Sequence, residues 1–311
     1  MKTKIILDTD IGDDVDDALA LALICASPEL ELLGVTTVFG NVEARARQAQ
    51  TILQISKLNN IPVAAGCSAT MASRQGRGAP KPDAAKIPSQ SKASYPDAKL
   101  PPLDPRHGVD FLVETIMSGN GDVVPVTIGA MTNMAMAIVK EPRLLKKLPR
   151  IVVMAAEFQK PMAEWNIRCD PEAAGLVFSS GVPIDVIPFT IGKTATMTAS
   201  EVARFTTCGR PMGRYLAEAI ELWRADHWMG PLAGGGQHMP SLFDPLAVAM
   251  LIRPDLFTWK QGSVDVELRG EKTYGYTTFT ESKTGEKGKH RIAWDLHRDD
   301  AVNWFLDRIC G

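Results

Sequence analysis

Short apolar, β-branched segments alternate along the chain with segments of helical periodicity. The pattern predicts strands at residues 4–9, 32–38, 61–65, 123–128, 151–155 and 184–187. It predicts helices at residues 16–26, at 43–57, from about Thr132, and at 171–179. Strands that alternate with helices pair in parallel and are covered on both faces, so this order predicts an α/β fold with a doubly wound, mostly parallel, Rossmann-like sheet.

Two parts of the chain depart from this alternation. Residues 68–105 contain seven prolines and no sustained periodicity. A loop of that length is usually a lid, a binding loop or a disordered insertion, and the pattern leaves all three open. Later, residues 264–268 and 274–280 are predicted to form an antiparallel pair, and a helix at 299–309 ends the fold. We therefore predict a single domain, 1–311, with a small antiparallel C-terminal addition.

Composition and charge are those of a globular enzyme. The chain has 311 residues, of which 45% are hydrophobic and 23% charged, and its formal net charge is −2. This balance gives no indication of a nucleic-acid or membrane partner. No apolar run approaches the roughly 20 residues that cross a bilayer. The five cysteines are scattered and form no C-x-x-C pair, which favours a reducing compartment, and we expect the cytoplasm.

The densest charge in the chain lies where the first strand ends. Five of the eight residues 10–17 are aspartates. Helix capping accounts for Asp16 and Asp17, and at most for Asp14, but it does not account for Asp10. Carboxylates this close repel one another, whereas a hard divalent cation turns that repulsion into coordination. The cluster therefore predicts a metal site.

The predicted topology brings other polar positions to the same place. In an open parallel sheet, sites form at the carboxyl ends of the strands, which places Asp10, Asn41, residues 128–132 and residues 155–164 on one edge. Asp244 is a candidate for a distant ligand, although a plain helix cap before proline is an equal alternative. An all-oxygen site suits calcium or magnesium, and a cage supplied mainly by protein favours calcium.

Six motifs then identify a resemblance that extends over nearly the whole chain. Each is weak alone, but together they occur in family order with family-like spacing. They are "LDTD" with a glycine two positions later, "DDALAL", "SPELELLGVTTVFGN", "IGAMTNMA", "AEWNIRCDPEAA" and "FDPLA". The sequence resembles the nucleoside hydrolases of the inosine-uridine preferring family, whose doubly wound fold agrees with the predicted one.

The resemblance implies calcium-dependent hydrolysis of the N-glycosidic bond of ribonucleosides, with calcium holding the attacking water and the ribose 2′- and 3′-hydroxyls. It also implies a role in purine or pyrimidine salvage and a homodimer or homotetramer. Carried over by position, the general base is Asp16. The calcium ligands are Asp10, Asp17, Asp244 and the carbonyl of Ile128, with Asp14 as a further candidate, and the ribose-binding residues are Asn41, Met154, Glu164 and Asn166.

The first departure from the family pattern concerns the register of the acidic cluster. The family usually has one residue between the glycine and the aspartate pair, whereas Asp13, Asp14 and Val15 stand between Gly12 and Asp16 here. Asp13 and Asp14 could therefore be the active pair. We favour Asp16 and its neighbour, because these two residues directly open the apolar helix.

The other departures concern the end of the site that would hold the base. Phe158 stands where the family commonly has an asparagine for the ribose 5′-hydroxyl, and Phe243 where it has a histidine that protonates the base. His238 is a candidate substitute acid or a solvated loop residue. We predict that Phe158, Trp228, His238 and Phe243 line the base pocket. A tryptophan stacked on the base, Trp223 or Trp228, is an alternative to a histidine acid, although both can equally be core residues and helical spacing favours the core for Trp223.

Two alternatives to a nucleoside hydrolase remain open. The "DTD" that follows an apolar strand resembles the motif of magnesium-dependent haloacid dehalogenase phosphohydrolases, but the continuation "DDVDDALAL" does not fit that family. The second alternative is a metal-dependent nucleoside or sugar binder with little turnover, or a hydrolase of another N-ribosyl substrate. The loss of the family asparagine and histidine favours it, and the retention of Asp16, Glu164 and Asn166 opposes it.

Overall fold

The computed structural model describes residues 2–72, 79–226, 238–283 and 289–311. In this part of the chain the strands are β1 Thr3–Thr9, β2 Leu30–Thr37, β3 Val63–Ala65, β4 Val123–Thr127, β5 Ile151–Met154, β6 Ile184–Ile187, β7 Phe257–Val266, β8 Thr277–Glu281 and β9 His290–Leu296. The helices are α1 Asp16–Cys25, α2 Val42–Ile55, α3 Gly108–Ser118, α4 Thr132–Lys140, α5 Trp165–Cys169, α6 Pro171–Ser179, α7 Phe189–Thr194, α8 Ala199–Thr207, α9 Pro211–Ala225, α10 Phe243–Ile252 and α11 Arg298–Cys310.

The strands form one sheet in the order β3-β2-β1-β4-β5-β6-β9-β7-β8. Strands β1 to β6 are parallel neighbours in the doubly wound order, which confirms the predicted fold class. In β1, Leu7 lies beside Val35 of β2 on one side and Val126 of β4 on the other. The strand order reverses between β1 and β4, and the carboxyl ends of these strands carry the predicted site.

The antiparallel C-terminal addition is also confirmed, with one strand more than the sequence predicted. Val264 of β7 lies opposite Phe279 of β8, as the predicted pair requires, but β7 begins earlier, at Phe257. The unpredicted strand β9 pairs in parallel with β6 and antiparallel with β7. The addition therefore continues the main sheet.

Helix α1 lies at the centre of one face of the sheet. Its residues from Ala18 to Ile24 are all at most 3% exposed, and it packs against α10. A helix that is apolar all round can only be stable when it is surrounded by protein. The opposite face is covered by α3, α4 and α6, with Phe111, Met134 and Val177 in its core. Because α1 and α10 are fixed by packing, their first turns are held firmly beside the sheet edge.

Residues 79–105, the longer of the two described parts of the proline-rich segment, pack beside α2 and the turn that follows β1. This part contains two short 3₁₀ helices, Ser89–Ala93 and Asp97–Lys99. Gln90 is fully buried, and its Nε2 donates a hydrogen bond to the carbonyl of Asp14 at 2.6 Å. Gly12 has φ +127° and a Cβ added there would lie 2.6 Å from Pro88, so only glycine fits this contact.

Two further expectations concern the whole chain. All five cysteines are free, as their scattered positions predicted. Within residues 2–72, 79–226, 238–283 and 289–311, no helix combines the length and apolarity that crossing a membrane requires.

Candidate active site

A cavity of about 520 Å³ opens where the carboxyl ends of β1, β2, β4 and β5 meet the first turn of α10. Its walls contain nearly all of the site residues predicted from the sequence. These are Asp10, Asp14, Asp16, Asp17, Asn41, Ile128, Met154, Glu164, Asn166, His238, Phe243 and Asp244. The topology thus brings together side chains that lie more than 230 positions apart in the sequence.

Three buried carboxylates form the centre of the site. Asp16 and Asp17 open α1, and Asp244 lies in the first turn of α10. One carboxylate oxygen from each lies within 4.8 Å of the others, and all three residues are at most 6% exposed. The hydroxyl of Thr9, at the end of β1, donates a hydrogen bond to Asp17.

The electrostatics of these three carboxylates favour a bound cation. Burial, and then the charges of neighbouring aspartates, raise the pKa values of Asp16, Asp17 and Asp244 well above normal. Burial raises the pKa of Asp10 to about 6. A group of carboxylate oxygens without histidine or cysteine suits a hard divalent cation. A bound cation would offset the repulsion between the three carboxylates and so allow them to lose their protons.

Asp10 is close enough for its charge to raise the pKa of each of the three carboxylates, but it is not one of the residues whose oxygens converge within 4.8 Å. A Cβ added to Gly129 would lie 2.7 Å from Asp10 Oδ1, so this glycine allows the carboxylate to approach the loop after β4. The carbonyl of Ile128 in that loop accepts a hydrogen bond of 2.9 Å from Asn166 Nδ2. A carbonyl oxygen has a second lone pair, so this bond leaves Ile128 able to bind a metal.

Asp13 and Asp14, the other two aspartates of residues 10–17, have different partners. Asp13 forms ion pairs with Arg45 at 2.7 Å and Lys86 at 3.3 Å. Burial opposes ionisation of Asp13, but these two cations outweigh it and lower its pKa. Asp14 lines the cavity, and its Oδ1 accepts a hydrogen bond from the backbone N–H of Val15 at 2.7 Å. Asp13 therefore lies in an ion pair, outside the group of three carboxylates.

Arg45 on α2 is a site residue that the sequence analysis missed. Its side chain is almost completely buried, and Nε donates to the carbonyl of Phe39 at 2.7 Å. Nη1 donates to the carbonyls of Asp10 and Ile11, and Nη2 to the carboxylate of Asp13. This one guanidinium joins the loop after β1 to the loop after β2, where Phe39 has a φ of +68°.

The residues expected to bind ribose all line the cavity and are held by local hydrogen bonds. Asn41 Oδ1 caps α2 by accepting from Ala44 N at 3.1 Å. Asn166 Nδ2 also donates to the carbonyl of Met154 at 3.0 Å. Glu164 caps α5, and burial raises its pKa to about 7 despite three backbone N–H donors. These bonds fix the side chains in place before any ligand binds.

Two aromatic pairs line the rest of the cavity. The rings of Phe189 and Phe243 are stacked, with centroids 5.2 Å apart and planes 19° apart. The ring of Trp223 meets His238 edge-on at 6.0 Å. Trp223 is buried, as the helical spacing predicted, but it lines the cavity as well.

The remaining base-pocket predictions differ in outcome. Phe158 is not among the lining residues, and its ring packs on Phe279 of β8 with centroids 5.7 Å apart, because the loop after β5 turns it toward the C-terminal strands. Trp228 lies outside the described residues. Phe189 was missed, although its position two residues after the end of β6 is a strand-end signal of the kind that identified Asp10. Lys193 on α7 also lines the cavity and was missed.

Comparison with known proteins identifies the family of this chain. The profile of the family described as inosine-uridine preferring nucleoside hydrolase matches residues 5–303. Uridine nucleosidase 1 of Arabidopsis thaliana is 30% identical over 98% of this chain and 89% of its own length. The pyrimidine-specific ribonucleoside hydrolase RihA of Enterobacter sp. (strain 638) is 32% identical over 99% of this chain and 98% of its own.

Solved structures give the same result for the fold. A purine-preferring ribonucleoside hydrolase from Gardnerella vaginalis superimposes with a TM-score of 0.83 and 26% identity, over 99% of this chain and 98% of that one. A plant nucleoside hydrolase superimposes over all of both chains with a TM-score of 0.85 and 24% identity. Because the family profile matches almost the whole sequence, this chain belongs to the inosine-uridine preferring nucleoside hydrolase family, a family of N-glycosyl hydrolases.

Proposed function

We propose that this protein catalyses the calcium-dependent hydrolysis of the N-glycosidic bond of ribonucleosides and releases ribose and the free base. One observation carries the proposal. The three buried carboxylates of Asp16, Asp17 and Asp244 share a cavity with polar side chains that can bind sugar hydroxyls and with aromatic rings. Such a cavity offers a site for a cation, a site for a hydroxylated sugar and a site for a planar base.

Asp10, Asp17, Asp244 and the carbonyl of Ile128 would hold the metal. The choice of calcium over magnesium is supported by the number of protein oxygens available, since magnesium usually keeps several waters. A bound calcium would lower the pKa of a coordinated water and bind the ribose hydroxyls.

Asp16 is the proposed general base. A carboxylate whose pKa is raised by burial and by nearby negative charge accepts a proton from water more readily than a free aspartate does. The neighbouring carboxylates also act on the sugar, because breaking the C–N bond leaves positive charge on the ribosyl ring. Fixed negative groups stabilise that charge without reorganisation.

Asn41, Glu164 and Asn166 are proposed to bind the ribose hydroxyls. The amide of Asn166 is held through Nδ2 by the carbonyls of Ile128 and Met154, which leaves Oδ1 as an acceptor for a hydroxyl. Asn41 uses Oδ1 to cap α2, which leaves Nδ2 as a donor. Met154 would lie under the sugar, where its thioether offers an apolar contact.

Related proteins differ in the base that they accept, since the matched RihA is pyrimidine-specific and the matched Gardnerella vaginalis enzyme is purine-preferring. We therefore propose ribonucleosides as the substrate class. The test is a reducing-sugar assay of ribose release from uridine, cytidine, inosine, adenosine and guanosine, with and without a chelator. Chelator-sensitive release from at least one nucleoside is the expected result. Calcium binding without release from any of them would support the binding-protein alternative.

A further inference from the structure

Asn133, in the first turn of α4, has a completely buried side chain that joins three neighbouring strands of the sheet. Its Nδ2 donates hydrogen bonds to Asp8 Oδ1 at 2.7 Å and to the carbonyl of Thr37 at 3.0 Å. Its Oδ1 accepts a hydrogen bond from the backbone N–H of Cys67 at 2.8 Å. Asp8 is in β1, Thr37 ends β2, and Cys67 follows β3 by two residues. One amide therefore links the carboxyl ends of all three strands.

Two glycines leave room for this amide. A Cβ added to Gly66 would lie 2.4 Å from both Nδ2 and Oδ1 of Asn133. A Cβ added to Gly108, at the start of α3, would lie 2.8 Å from the Cα of Gly66. A side chain at either position would therefore force its neighbours to move. Because both N–H groups and the oxygen of the buried amide are bonded, it holds the surrounding backbone in one arrangement.

The bond to the loop after β3 continues to the wall of the cavity. The carbonyl of Cys67 accepts a hydrogen bond from the N–H of Phe39, and the carbonyl of Ser68 accepts one from the N–H of Gly40, both at 2.8 Å. Phe39 and Gly40 have φ values of +68° and +70°, so the chain leaves strand geometry at this turn. Both residues line the cavity, and so does Asn41, which follows them. The buried amide thus holds the loop after β3, and that loop holds the turn before Asn41.

We propose that Asn133 is a positioning residue that places Asn41 correctly relative to Asp10 at the end of β1. This inference rests on the nucleoside hydrolase activity proposed above, in which Asn41 binds a ribose hydroxyl. One bound sugar has to fit the end of β1 and the loop after β2 at the same time, so their spacing matters. A displacement of about 1 Å, caused by a change remote from the chemistry, can lower a rate by about 100-fold.

The test is a double-mutant cycle, because a positioning role predicts that the effects of the two asparagines are not additive. Asn41→Ser removes the Nδ2 donor but keeps a residue that can cap α2. In the wild-type background it should lower kcat/KM for the preferred nucleoside by roughly 10-fold, the effect of one lost hydrogen bond. Asn133→Leu alone should lower kcat/KM by roughly 10- to 100-fold. In the Asn133→Leu background, Asn41→Ser should cost less than about threefold, because Asn41 is already displaced.

Three further variants make the test specific. Gly66→Ala should give the same coupling, because its Cβ displaces the amide without removing it. Asn133→Ser, with a small polar side chain, takes the place of the leucine variant if that variant does not fold. Ile138→Ala is the matched control, since it truncates a buried apolar side chain of the same helix. It should lower Tm but leave the effect of Asn41→Ser unchanged. Thermal unfolding establishes that each variant is folded at the assay temperature.

Several results would overturn the inference. Additive effects in the Asn133 and Gly66 variants would reduce Asn133 to a residue that only stabilises the fold. Unchanged kcat/KM in folded Asn133→Leu would remove it from the reaction altogether. The same coupling in Ile138→Ala would attribute the effect to a general loss of stability.

The same cycle, measured by calorimetry on the Kd for ribose, gives a result that does not depend on turnover, and the same coupling is expected. A protein that bound ribose with this coupling but hydrolysed no nucleoside would contradict the proposed function and support the inference. A protein that hydrolysed nucleosides with additive effects would contradict the inference alone. A protein that neither hydrolysed nucleosides nor bound ribose would contradict both.

Discussion

Removing the divalent cation should make the stability of the protein decrease as pH rises. Burial, and then neighbouring charges, raise the pKa values of Asp16, Asp17 and Asp244 well above normal, and burial raises that of Glu164 to about 7. In the unfolded chain these groups lose their protons near pH 4. Between about pH 4 and pH 7 the metal-free folded state therefore holds more protons than the unfolded state, so the free energy of unfolding falls as pH rises.

The two groups with defined values indicate the size of this effect. Glu164 has a pKa of about 7, against about 4.3 in an unfolded chain, and each pKa unit corresponds to about 1.4 kcal/mol, so ionising it costs about 4 kcal/mol. Asp10, with a pKa of about 6, costs a similar amount by the same conversion. Domains are stable by only about 5–15 kcal/mol, so these costs are large. Binding of calcium at about 100 times its Kd would raise the free energy of unfolding by about 2.7 kcal/mol.

Thermal unfolding between about pH 5 and pH 8, with chelator and with excess calcium, measures this directly. In the presence of chelator, Tm should fall as pH rises across this range. The increase in Tm on adding calcium should therefore become larger as pH rises. Asp244→Asn removes one of the buried negative charges, so it should flatten the metal-free dependence. The reasoning would be refuted if the Tm of the metal-free protein stayed constant with pH, or if calcium raised Tm by the same amount at every pH.

Four substitutions test individual residues. Asp16→Asn should lower kcat by roughly 10²- to 10⁴-fold while calcium binding persists, whereas Asp13→Asn should keep most turnover; the reverse result would establish the alternative register. Asp17→Ala should raise the Kd for calcium, measured by calorimetry, by at least about 100-fold. This is more than is lost when a residue that only hydrogen-bonds to a metal ligand is replaced. An unchanged Kd would exclude Asp17 as a calcium ligand. Arg45→Leu should lower the free energy of unfolding by about 3–5 kcal/mol in urea denaturation, because it leaves three backbone carbonyls without their donor and Asp13 paired only with Lys86. A loss below about 1 kcal/mol would contradict that.

The sequence predicted those elements whose stability depends on local pattern. The predicted strand 184–187 and helix 171–179 coincide with β6 and α6 residue for residue, because compact apolar runs are bounded there by turn residues. Strand β9 was missed. Its buried Ile292 and Ala293 stand among charged neighbours, and its place in the sheet is set by β6, about 100 residues earlier. Pairing over such a distance leaves no signal in the local sequence.

The same distinction applies to the site. Asp10 and Ile128 directly follow β1 and β4, and Asn41 lies four residues after the end of β2, so the sheet topology was sufficient to bring them together. Arg45 gave no such signal, since an arginine in a helical pattern normally faces solvent. It is buried only because two loops meet around it and provide four acceptors. Trp223 was correctly predicted to be buried, but its contact with the cavity depends on packing that the sequence does not reveal.

Ribose release by the metal-free protein, measured as calcium is added back, tests the central claim most directly. The protein would be stripped with chelator, dialysed, and assayed on its preferred nucleoside over a series of free calcium concentrations. We expect turnover near zero without metal and a saturable rise that follows calcium binding, because the carboxylates of Asp16, Asp17 and Asp244 converge on one cation site. Full turnover in the stripped protein, or no recovery with any amount of calcium, would contradict the account.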